Sequence, residues 1–405
     1  MRAASGGFAF HHAGAFWLGC AALVAGVLSH GPMFIHSSHM GYRMAGMPMD
    51  GFMLAGMALI PLGLLLAGFG LMPRLQRRPR DASAVQLTFH VADGATLNRQ
   101  HGLLVVVLVI ALAVDVMKPA TLGFVMPGLA DEYGISKQTA GWLALVALTG
   151  TTVGSLLWGR LADRLGRRAA ILLSALMFIG TAICGAMPSF GWNLVMCFLM
   201  GASAGGLLPI TFTLMAEMIP TRHRGWLLVV MGGVGTSAGY LLAAGSAAVL
   251  EPLFSWRVLW LLGLPTGALI ILLDRFIPES PRFLANAGLD DAARAVMAKY
   301  SGDMQQGPSV ARVAAGSEQA HQATDMLSLM RGAHAPITWG LVVCGLAWGL
   351  VNFGFMLWLP TNLAAKGMDG GTASALLARS AGFALLGIPL VTWLYHRWSS
   401  IKALD

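Results

Sequence analysis

The sequence has 405 residues, of which 56% are hydrophobic and only 11% charged, and its mean hydropathy is +0.69. Soluble globular domains carry about 25% charged residues, so a soluble protein is excluded and an all-α, polytopic membrane protein is indicated. The net charge of +8 does not point to nucleic acid, because the basic residues stand in short clusters between apolar runs, as in cytoplasmic loops.

Ten apolar runs reach the roughly 20 residues that a membrane helix needs. The first two cover 13–30 and 50–72. The first run also admits a reading as a secretory signal peptide. Between them lies "HGPMFIHSSHMGYRMAGMPMD" (30–50), rich in histidine and methionine. Thioethers and imidazoles suit copper, and His36, His39, Met40 and Met44 are the candidate ligands. The competing reading makes the methionines apolar filler in a loop joining two helices that pack outside a bundle. The four cysteines lie inside apolar runs without CxxC spacing, so neither a disulfide framework nor a zinc site is indicated.

After a linker at 81–101 come six runs, 102–125, 140–158, 169–187, 193–215, 226–249 and 256–277. The first holds Asp115, an acid deep in an apolar run, and Lys118 three residues on, one turn along the same face. A charge at the bilayer centre costs about 2.5–3.5 kcal/mol on insertion scales, so such residues usually face a cavity and work there. Asp115 is the candidate proton-coupling carboxylate. Lys118 is the candidate that tunes it or attracts an anionic solute, unless it is a structural partner or snorkels to the surface. Pro119 suggests a bend at this level.

Between the second and third of these runs stands "GRLADRLGRR" (159–168), four arginines and an aspartate in ten positions. Gly159 is expected to let helices approach and Gly166 to permit a tight reversal. Asp163 is expected to cap a helix or pair with an arginine. A purely topogenic basic loop is the plainer reading.

The polar stretch 285–335 reads as a connector carrying a short surface helix, "DDAARAVMAKY" (290–300). Two last runs follow at 337–360 and 373–395. Asn352 lies among Trp348, Phe353, Phe355 and Trp358, a setting for a planar acid or for an aromatic belt with an interhelical hydrogen bond. With a cytoplasmic N-terminus, twenty of the 26 basic residues fall on the cytoplasmic side. The positive-inside rule therefore gives cytoplasmic N- and C-termini. The excess of arginine over lysine suggests a bacterial gene, hence the inner membrane.

Three stretches together carry a resemblance. The opening loop has the form G-x-x-x-D-R-x-G-R-R, "AEMIPTRHRG" (216–225) the form E-x-x-P-x-x-x-R-G, and "PESPRFL" (278–284) closes the sixth core run. In that order and on one membrane side, they resemble the sugar-porter-like branch of the major facilitator superfamily, over about 102–398. The resemblance implies a secondary transporter working by alternating access, with no cofactor and no enzymatic role. Its partners would be a small organic solute, a proton and the lipid bilayer. It also implies that Gly159, Asp163, Arg164, Gly166, Arg167, Arg168, Glu217, Arg224, Glu279 and Arg282 form a cytoplasmic gate, away from substrate. The site proper would use Asp115, Lys118 and Asn352.

Three departures stand out. Cys197 occupies a place where family members often carry an arginine, which removes a relay through that residue. The seventh core helix, "WGLVNFGFMLWLPTNL" (348–363), lacks the paired glutamines of sugar porters and is more similar to relatives that carry aromatic or other organic acids. The family has twelve core helices, and eight are read here. The expected organisation is a two-helix extension (1–80), a linker (81–101), a six-helix half (102–284), a connector (285–335) and the first two helices of a second half (336–405). Missing C-terminal helices, or a second chain, are then expected to complete the pathway. Proton-coupled symport of an organic or aromatic acid is the leading reading. An exporter of the same superfamily, or a non-transporting truncated or copper-binding membrane protein, is the alternative.

Overall fold

The computed structural model describes residues 12–72, 96–287, 289–301, 330–331 and 335–397. Among the described residues, ten helices are long and apolar enough to cross a membrane, one for each apolar run. In chain order they are α1 (Ala13–Met40, broken after Leu28), α2 (Gly51–Leu71), α3 (Arg99–Tyr133), α4 (Lys137–Leu165), α5 (Arg167–Ala186), α6 (Phe190–Met218), α7 (Thr221–Phe254) and α8 (Val258–Phe276). Two short helices follow, α9 (Pro281–Asn286) and α10 (Asp290–Ser301), then α11 (Ala335–Ala365) and α12 (Gly370–Arg397). The basic cluster at 74–80 lies outside the described residues, as does most of 395–405.

The helices outrun the apolar segments that announce them. α3 has 35 residues, about 52 Å at 1.5 Å per residue, against about 30 Å of hydrocarbon. Hydropathy marks only the part in hydrocarbon, and caps decide where the helix ends. Asn98 accepts from the Gln100 and His101 amides, and His101 Nδ1 accepts from the Asn98 amide. α3 runs unbroken through Pro119 and Pro127 to Gly134 at φ +61°. Ser136, Ser189 and Ser280 cap α4, α6 and α9 by accepting from the amide three residues on.

One part of the sequence-based division changes. Residues 99–101 belong to α3 rather than to a linker. The connector's short surface helix is present as α10 and is docked, because Asn98 Nδ2 donates to the Lys299 and Tyr300 carbonyls and the Tyr300 ring packs on His101.

Small residues set the packing. Gly150 and Gly154 of α4 face the Phe198 and Ala202 backbone of α6, while Gly201 and Gly205 face Ala147 and Thr151. A Cβ at any of the four would collide with main chain, so these helices touch backbone to backbone. In the front hairpin, Gly56, Gly63 and Gly70 recur every seven residues and meet Ser29, Gly19 and Phe16 of α1. The hairpin then packs on α5, with Ile60 against Gly180 and Leu173 near Gly68. Every residue from 169 to 188 except Met177 is buried.

At the end of the bundle opposite the basic loop, Glu132 is a hub. It pairs with Arg257 at 2.7 Å and accepts from Trp256 Nε1 at 3.0 Å. It also accepts from the Met44 and Ala45 amides of the hairpin loop at 2.7 and 3.0 Å. Arg257 is 0% exposed and donates further to the Gly185 and Met187 carbonyls and the Tyr133 hydroxyl. Removing one partner of such a buried pair strands the other charge, at about 3–5 kcal/mol. Arg257→Ala is expected to lower the unfolding free energy of the detergent-solubilised protein by that amount, and its unfolding midpoint with it. An unchanged midpoint would contradict this reading of the hub.

Candidate functional site

A cavity of about 600 Å³ opens between the six-helix unit and α11–α12. Its wall is mostly apolar. Val116, Ala120 and Pro119 of α3, Leu208 and Pro209 of α6, and Trp348, Phe353 and Leu357 of α11 supply most of it. Polar groups enter from Asp115, Tyr240, Asn352 and a few hydroxyls. Asp115 is 3% exposed, and its Oδ1 has no hydrogen-bond partner. Asn352 stands in a π-helical turn, Leu350–Phe355, and donates from Nδ2 to the Trp348 carbonyl at 2.9 Å. Such turns widen a helix locally and recur at functional sites.

Lys118 is not in this cavity, contrary to the shared-face expectation. Its Nζ turns into the six-helix unit and donates to the Phe178 carbonyl at 2.6 Å and the Thr181 hydroxyl at 2.7 Å. It also lies 4.1 Å from the centroid of the Phe178 ring. Three residues on a helix leave about 60° between side chains at 3.6 residues per turn. That angle is enough to send one group to the cavity and the other to the interior.

The two helix pairs flanking the cavity meet closely at one end. The Leu357 carbonyl packs on Gly123, and the Trp358 ring on Gly141. α12 lies along α7, with Ile388 on Gly233. Toward the basic-loop end, α11 is largely exposed from 336 to 351.

The motif residues gather at that basic-loop end. Arg167 pairs with Asp163 at 3.0 Å and Glu217 at 3.4 Å, and donates to the Ala162 carbonyl. Arg168 grips both oxygens of Asp274, a partner the sequence reading missed. Asp274 sits where the apolar run of α8 ends, one turn before the "PESPRFL" motif, and that adjacency was the available signal. Glu279 is 3% exposed and accepts from the Arg167 amide at 2.7 Å, the Ser280 amide at 2.9 Å and the Arg168 amide at 3.3 Å. Gly166 has φ +103°, and a Cβ there would strike the Glu279 carboxylate, so glycine serves both the turn and the approach. Gly159, by contrast, faces open space rather than another helix. Arg224 donates to the Ile219 carbonyl at 3.3 Å, while Arg164 and Arg282 are exposed. The ion pairs described here join α4, α5, α6 and α8, all helices of one half.

The hairpin loop does not bring its candidate ligands together. His36 and His39 are exposed with rings 5.2 Å apart, and Met40 is exposed too. Met44 is 0% exposed in an apolar cluster with Phe34, Met53 and Ala186, so it serves there as filler.

Comparison with known proteins places the chain. The family model for the Major Facilitator Superfamily matches residues 103–404, and the chain belongs to that superfamily. It is 26% identical over 280 residues to a niacin transporter of Acinetobacter baylyi, covering 68% of this chain and 62% of the relative. It is 33% identical over 215 residues to a 4-hydroxybenzoate transporter of the same organism, covering 53% and 46%. The chain thus spans about half the length of the curated relatives it matches. Its fold is similar to the partially occluded, inward-open xylose transporter of E. coli, with a TM-score of 0.57 at 17% identity over 74% of this chain and 72% of that one.

Glu279 yields a pH prediction. Burial pushes its carboxyl up to about 7, outweighing the three backbone N–H donors that favour the charged form. The folded state therefore holds the proton more tightly than the unfolded state, whose carboxyl titrates near 4.5. Stability from this group is full below 4.5 and falls as pH rises through 7. The thermal midpoint of the wild type should drop between pH 5 and 8 more steeply than that of Glu279→Gln. Equal slopes would contradict the assignment.

Proposed function

We propose that the protein is a secondary active transporter, a proton-coupled symporter of a small organic acid, most simply an aromatic one. It would work by alternating access in a bacterial inner membrane with both termini cytoplasmic. The observation that carries this reading is Asp115, a buried carboxyl with an unpartnered oxygen in a residue that lines an apolar, aromatic-walled cavity between two helix groups. Transporters of this general build bind solute at such a repeat interface near the bilayer midplane. The relatives named for niacin and 4-hydroxybenzoate support a planar acid as solute.

In this reading Asp115 takes up and releases the coupling proton. Lys118 sits one turn away and turns inside the six-helix unit, so it does not pair with Asp115. Asn352 and its aromatic neighbours hold the solute. The basic-loop network keeps the ends of α4, α5, α6 and α8 together as one body, and Asp163, Arg164, Arg167, Arg168, Glu217, Arg224, Glu279 and Arg282 act as the cytoplasmic latch.

The test is uptake in proteoliposomes bearing a pH gradient. Asp115→Asn should abolish uphill accumulation while leaving exchange of solute down its own gradient. Normal accumulation by the variant across a pH series would contradict the coupling role.

A further inference from the structure

The cavity chemistry narrows the solute further, on the premise that the cavity takes a planar organic solute. Three of the six hydroxyls along its wall are spent on their own helices. Thr151 donates to the Ala147 carbonyl, Ser155 to that of Thr152 and Ser380 to that of Leu376. Two buried polar atoms are not spent, Asp115 Oδ1 and the Tyr240 hydroxyl, and both belong to cavity residues. The Tyr240 ring is steadied by Phe124, 6.0 Å away between centroids. No lysine, arginine or histidine lines the cavity among the described residues, and Lys118 is committed elsewhere.

We infer that Asp115 and Tyr240 form a subsite for a hydrogen-bond-donating ring substituent, a hydroxyl or amino group, on an aromatic solute. A solute carboxylate at this point would meet another carboxyl with no cation to separate them. A neutral donor instead satisfies the unpaired acceptor, and the Tyr240 hydroxyl, both donor and acceptor, bridges to the same substituent. The ring then lies against Trp348 and Phe353. The solute's own carboxylate points away, toward α11, where the Asn352 amide has a second N–H to give. This role is compatible with proton binding, since a protonated carboxyl keeps acceptor capacity. A site built to hydrogen-bond a hydroxyl rejects analogues that lack it, because its polar groups are left unpaired.

The experiment is equilibrium binding of radiolabelled 4-hydroxybenzoate and of benzoate to the purified 405-residue chain, in wild type, Tyr240→Phe and Asp115→Ala. Wild type should prefer 4-hydroxybenzoate by about tenfold or more, the gain from one well-paired buried group. Tyr240→Phe keeps the ring, and both variants should bring the ratio toward one. Equal binding of the two ligands by wild type would overturn the subsite and leave the aromatic-acid reading standing. Binding of neither would overturn both. A preference that survives in both variants would place its origin elsewhere and overturn the subsite.

Discussion

A carboxyl held among apolar helices is expensive, by about 2.5–3.5 kcal/mol on insertion scales, and the rest of the architecture answers to that constraint. Asp115 lies on α3, where α7 packs closely on the neighbouring residues. Gly235 and Gly239 of α7 bring its backbone onto Leu112 and Ala113. Asp115 also lines the cavity. Lys118, on the same helix, finds its partners in the opposite direction, on Phe178 and Thr181. The helices α3–α8 thus keep the two side chains apart, with Lys118 turned inside and Asp115 lining the cavity.

The helices α3–α8 are held together as a unit. Its two ends are tied differently. At the basic-loop end, Glu279 is held by three backbone amides, and Arg167 and Arg168 reach Glu217 and Asp274. At the other end, one buried pair, Glu132–Arg257, joins α3 to α8 and captures the hairpin loop through two amides. The front hairpin is therefore built into the half, covering α5 along its length, instead of trailing from it. Contacts across the cavity are of another kind. Around Gly123 and Gly141 they are apolar surfaces and a carbonyl laid on glycine, which can part without stranding a charge.

Much of this was legible in the sequence. Each of the ten runs became one helix, since a long apolar run has no stable state in lipid except as a helix with its backbone satisfied. The three motifs located the basic-loop network, and Asp115 stood out because deep acids are rare. What escaped depends on angles and distant partners. The spacing of Asp115 and Lys118 fits a shared face, yet a 60° offset sends them to different neighbours. Nothing near Glu132 in the chain announces Arg257, 125 residues away. Arg168 and Asp274 are likewise 106 residues apart. The π-helical turn at Asn352 and the open space around Gly159 are properties of packing that residue type does not encode.

The central claim is that solute binding and proton binding meet at Asp115. It is tested most directly by following the pH of a weakly buffered solution of the purified protein as an aromatic acid is added, with the solute's own titration subtracted. The account predicts a proton uptake or release that saturates with the solute in wild type and disappears in Asp115→Asn. The same saturable proton exchange in the variant, with solute still bound, would contradict it.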